Sequence, residues 1–102
     1  MSLASVKRYA EAKSLLRRTM LVARRVVGDS NATTLALRRI YARALCEDPA
    51  ATLEDLREAV TTLEDAAPTA RRVLGSVHPG TTGIEEVLGF ARATLRRRET
   101  RL

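Results

Sequence analysis

The chain has 102 residues, 45% apolar and 29% charged, with a formal charge of +6. That is the size of one domain, and five Gly and three Pro beside abundant Ala, Leu, Arg and Glu exclude a sandwich or barrel and point to an all-α fold. A single cysteine, Cys46, and a single histidine, His78, exclude a disulfide framework and a zinc site built within one chain.

The first apolar period runs from Leu3 to Val27 through Val6, Tyr9, Leu16 and Ala23, which predicts one long helix. Gly28 ends it, with Arg24 and Arg25 in the last turn where the helix dipole favours cations. Any of Asp29, Ser30 and Asn31 can cap the next helix, predicted from about Ala32 to Cys46 with Leu37, Ile40, Tyr41, Ala44 and Leu45 on one face and Arg38, Arg39 and Arg43 outside it. Thr52 and Asp55 have the spacing of a capping box and open a third helix, with Leu53, Leu56, Ala59, Val60, Leu63 and Ala70 inward. Pro68 falls inside it; the period resumes at Val73 and Leu74, so a kink near Leu63 to Ala67 is expected and not a break. Gly75 stops that helix. His78, Pro79 and Gly80 form a turn, Thr81 or Thr82 is expected to cap, and Ile84, Val87, Leu88, Ala91 and Leu95 make the stripe of a fourth helix. Residues 97–102 carry no inward pattern and are expected to fray as a basic tail.

A shift of 47 positions lays Tyr9 to Gly28 on Leu56 to Gly75, with identities at Glu11, Ala12, Leu16, Ala23, Arg24, Arg25, Val26 and Gly28. The register continues beyond the glycine, where Leu37, Ile40, Tyr41 and Ala44 fall on Ile84, Val87, Leu88 and Ala91. The chain is therefore read as a duplicated helix, turn, helix unit, the first over about 3–46 and the second over about 52–96.

On these residues the chain resembles the tetratricopeptide repeat, in the longer form found in kinesin light chains. Tyr9-Ala10-Glu11-Ala12 is similar to the family's opening of its second (B) helix, and Val73-Leu74-Gly75 followed by His78-Pro79 is similar to the turn before its next first (A) helix. The resemblance covers nearly all of residues 6 to 95. It implies two antiparallel helix-turn-helix units, four helices in the order B, A, B, A, stacked as a short right-handed superhelix in one domain spanning 1–102. It also implies a non-catalytic protein-interaction scaffold whose A helices line the concave surface. The family's peptide-clamping asparagine pair is replaced by Arg39 and Ile40, and by Glu86 and Val87, so its usual extended-peptide clamp is not expected here.

Residues 1 to 51 hold ten basic and four acidic side chains, so the whole +6 lies there, and sixteen of the eighteen basic residues are Arg. An acidic or helical protein segment is the expected partner, with Arg38, Arg39, Tyr41, Arg43 and Glu86 as the candidate surface. A basic nucleic-acid-binding domain is the alternative, disfavoured because three aromatics offer few platforms for bases. No nucleotide loop, nucleophile elbow or metal-ligand cluster appears, so no enzyme activity and no cofactor are expected. His78 is read as a residue that hydrogen-bonds the turn and orients the following helix. Glu85 and Glu86 are adjacent on a helix, hence about 100 degrees apart, and cannot share one substrate atom.

With the order B, A, B, A, the first helix lacks an A helix on one flank. Half-exposing Leu3, Val6, Tyr9, Leu16 and Val26 forfeits about 4 to 6 kcal/mol, so self-association through Leu3, Val6, Tyr9 and Leu16, as a homo-oligomer, or membership of a longer repeat array is expected. No apolar run approaches a membrane span and the basic N-terminus lacks a signal peptide's apolar core. A cytoplasmic protein without membrane contact is therefore expected, with Cys46 a reduced core thiol.

Overall fold

A computed structural model describes residues 2–101. It contains four helices, α1 (Leu3–Val26), α2 (Ala32–Glu47), α3 (Leu53–Leu74) and α4 (Pro79–Thr100), and no strand among the described residues. The fold is all-α, consistent with paired helical hairpins of the tetratricopeptide type.

Each boundary has a local cause. Ser2 caps α1, accepting from the Ser5 amide, and Asn31 caps α2, accepting from Thr33. Thr52 and Asp55 form the complete capping box expected of α3. The start of α4 differs from expectation. His78 is the cap, its Nδ1 accepting from the Gly80 amide at 2.9 Å, and Pro79 takes the first helical position, where its missing N–H costs nothing. Thr81 therefore lies one turn inside, fully buried, its hydroxyl donating to the Ala70 carbonyl at 3.2 Å.

The two units repeat in geometry. Gly28 and Gly75 both have positive φ, 88° and 98°. The Asn31 amide donates to the Gly28 carbonyl, and 47 positions on the His78 amide donates to that of Gly75. α3 passes Pro68 without breaking; the ring lies on the exposed side, while Ala66, Ala67 and Ala70 beside it are buried.

α2 is the hub. It packs on α1, α3 and α4, α3 packs also on α4, and α1 packs on α2 alone. This explains why one predicted stripe was too narrow for α2. Thr34, Leu35, Ala42 and Cys46 are buried in addition to Tyr41 and Leu45, whereas Ile40 is 40% exposed. In α1 the only buried side chain is Met20, with Leu16 packed partly against the core.

The five residues between α2 and α3 are pinned from both ends of the molecule. Asp48 is buried, its carboxylate accepting from the Ala50 amide and from Lys13 Nζ of α1, each within 3 Å. Arg98 of α4 donates to the Ala51 carbonyl at 2.6 Å. In the structure α4 continues to Thr100, and Glu99 lies 3.5 Å from Arg57. The Arg98 guanidinium thus ties the last turns of α4 to this loop. Leu102 lies outside the described residues. Among the described residues no helix is long and apolar enough to cross a membrane.

Candidate protein-interaction groove

Two recesses run in line between α2 and α4. One is lined by Ala32, Leu35, Ala36 and Arg39 of α2 with His78, Pro79, Gly80 and Gly83; the other by Arg43 and Glu47 with Glu86, Val87 and Phe90. Residue numbers rise together on both walls, so the helices run parallel and form one groove. Gly83 and Arg39 approach closely across it: a Cβ on Gly83 would stand 3.3 Å from Arg39 Cδ, so a side chain there would have to displace the arginine by a few tenths of an ångström. Phe90, 45% exposed, is the large apolar side chain at the far end.

The predicted surface residues divide into two sets. Arg39, Arg43 and Glu86 line the groove. Arg38 and Tyr41, expected on the same surface, are buried at 5% and 3% exposure, because α2 turns that side toward its neighbours and away from the groove. The Tyr41 hydroxyl donates to Glu58 Oε2 of α3 at 2.5 Å; burial first, then this carboxylate, push its pKa well above the ordinary tyrosine value. Arg38 has no ion-pair or hydrogen-bond partner among the described residues. Its Nε and the Thr34 hydroxyl one turn earlier are buried and unpaired. Burial lowers the Arg38 pKa from its ordinary value, with Arg24 adding to the effect and Asp29 and Asp65 opposing it.

The groove is electrostatically mixed. Arg43 Nε is held by Glu47 at 2.7 Å and Glu86 stands across from it, whereas Arg39 has no ion-pair partner among the described residues. Glu47 and Phe90 were not foreseen as surface residues, although the 47-residue shift lays Arg39 and Arg43 on Glu86 and Phe90 and so marks both walls; Val87, expected inward, is buried and shows only an edge to the groove. His78, read as a turn residue, does that work as the cap of α4. Of the residues expected to self-associate, Leu3 and Val6 are exposed, Tyr9 is half-buried, and Leu16 turns inward against the core.

Chemically reactive groups are sparse. Cys46 is a free, buried thiol whose pKa is pushed up to about 11 by burial and by Glu47. No cluster of three His, Cys, Asp or Glu side chains that could hold a metal occurs among the described residues.

Neither the curated proteins nor the solved structures give a match to the chain. A model of the tetratricopeptide repeat matches residues 1–32, which take in α1, its glycine turn and the first residue of α2, and with the paired hairpins this supports a tetratricopeptide-repeat protein.

Proposed function

We propose that this chain is a non-catalytic scaffold of the longer-unit type similar to kinesin light chains, and that it binds a helical or acidic protein segment along the α2–α4 groove. The observation that carries the reading is the placement of Arg39 and Arg43 one helical turn apart on one wall, opposite Gly83, Glu86 and the exposed Phe90 on the other. An apolar side chain of the partner seats against Phe90 and Val87, and a carboxylate pairs with the free Arg39 guanidinium, whose planar fork suits bidentate contact. Arg43, already held by Glu47, sets orientation more than affinity. The 47-residue separation of the two glycine turns supports the longer-unit type. A cytoplasmic location and self-association through the uncovered side of α1 belong to the same proposal.

The test is selection of a random peptide library on the protein, followed by anisotropy titration of the selected peptide. Replacing Arg39 and Phe90 together by Glu and Ala should weaken binding at least ~10-fold, the order expected for a desolvated anchor. Unchanged affinity would reject the groove.

A further inference from the structure

The outer side of α1 carries a pattern that the fold does not use. Ser5, Arg8, Ala12, Leu15, Thr19, Val22 and Val26 recur at alternate spacings of three and four, the seam of two helices packed along their length. From Arg8 to Val26 every one of these is exposed, Leu15 at 57% and Val22 at 47%.

The second unit shows what such a side is for. Glu11, Ala12, Leu15, Thr19 and Val22 correspond by the 47-residue shift to Glu58, Ala59, Thr62, Ala66 and Thr69. In α3 all five are covered: Ala59 and Ala66 are fully buried, the others half-buried, and Glu58 takes the Tyr41 hydroxyl from antiparallel α2. In α1 the same five stand in solvent. The face is shaped for an antiparallel helix.

We infer that the occupant is α1 of a second copy of this chain, packed antiparallel about a two-fold axis. The inference rests on the self-association part of the reading above and is independent of the α2–α4 groove. Three features of α1 select its own copy. Glu11 and Arg18 flank the seam at equivalent heptad positions seven residues apart, so an antiparallel pair brings Glu11 of each chain beside Arg18 of the other, twice by symmetry. Glu11 has only a 4.0 Å contact to Lys7, and Arg18 has no ion-pair partner among the described residues, so both are available. In the same register Leu15 meets Ala12 of the copy, and Val22 reaches the recess lined by Ser5, Arg8, Tyr9 and Ala12. The Thr19 hydroxyl, already donating to the Leu15 carbonyl at 2.8 Å, enters the seam without losing a partner. Of the set Leu3, Val6, Tyr9 and Leu16, this seam keeps only Tyr9, at the recess that takes Val22: Leu16 faces the core, and Leu3 and Val6 lie on another side of the helix.

Sedimentation velocity across a concentration series tests this on the intact chain. The wild type should move from 11.2 kDa toward twice that mass as concentration rises. Leu15→Glu with Val22→Glu should remain monomeric while keeping its helical circular dichroism, since both side chains are exposed. Glu11→Arg or Arg18→Glu alone should weaken association at least ~10-fold, and the double exchange should restore it. A wild type that stays monomeric to the highest concentration overturns the inference, and so does a dimer indifferent to either set of substitutions. A monomer that instead binds a synthetic peptide of residues 31–47 would assign the face to an α2-type helix and overturn the second copy as occupant. The double replacement of Arg39 by Glu and Phe90 by Ala, which weakens the groove, should leave dimerisation unchanged, so the two readings fail separately.

Discussion

Tyr41 of α2 donates its hydroxyl to Glu58 of α3 at 2.5 Å, a bond sealed between the helices of one hairpin with Tyr41 only 3% exposed. Removing the donor leaves a half-buried carboxylate without its partner, so Tyr41→Phe should destabilise by about 1 to 3 kcal/mol. Glu58→Gln, which can still accept, should cost less. Denaturant midpoints of both variants check the order; equal, near-zero effects would mean that water replaces the tyrosine freely.

Thr34 and Thr81 hold equivalent positions in the two units and both are fully buried, yet only Thr81 has a partner, the Ala70 carbonyl. Thr81→Val should therefore lose about 0.5 to 1.5 kcal/mol, the net value of a buried hydrogen bond. Thr34→Val removes an unpaired hydroxyl and should be neutral or stabilising. Arg38→Met extends the same logic: replacing a buried side chain whose Nε has no partner with an apolar chain of similar length should be neutral or raise stability by up to about 1 kcal/mol and leave peptide binding unchanged. A parallel loss of stability in all three variants would contradict this assignment.

Asp48 ties α1 to the α2–α3 loop. Burial works to raise its pKa, but the bonds from Lys13 and the Ala50 amide outweigh it and hold the carboxyl below the usual carboxylate value. A pKa depressed on folding contributes stability above the unfolded value of about 3.9, and that contribution is lost as pH falls through the folded value. Wild-type stability should thus drop below about pH 4, and Asp48→Asn should flatten that acid limb while lowering stability at neutral pH. Urea midpoints measured from neutral to acid pH decide it; an unchanged acid limb in Asp48→Asn would place the titration elsewhere.

Gly75 has φ 98° and ψ 155°, a conformation nearly closed to side chains, and Gly28 has φ 88°. Alanine at either should cost about 1 to 3 kcal/mol. Gly89, inside α4 with open space where a Cβ would lie, should gain about 0.5 to 1 kcal/mol from the same change. Thermal melts of the three variants check the contrast.

Helix positions and the duplicated unit were legible because the stripes, caps and glycine stops are local signals. Thr52 and Asp55 marked α3 unaided, and the 47-residue shift set Gly28 on Gly75. What escaped depends on which elements meet. Arg38 looked like surface because charge at helical spacing usually is, but α2 has three neighbours and buries more than one stripe. Lys13 with Asp48, and Arg98 with Ala51, join segments 35 and 47 residues apart, and no local pattern announces them. The groove was half visible: Arg39, Arg43 and Glu86 carry charge and were noticed, while Phe90 sits outside the inward stripe of α4, where an isolated apolar residue gives no signal of its partners.

The most direct test of the scaffold reading is amide proton–nitrogen correlation spectroscopy of isotope-labelled protein titrated with the library-selected peptide. The shifts should concentrate along both walls of the groove, at Ala36, Arg39, Arg43, Gly83, Glu86 and Phe90, and leave α3 nearly still. Shifts centred on α3, or spread evenly over the four helices, would contradict it.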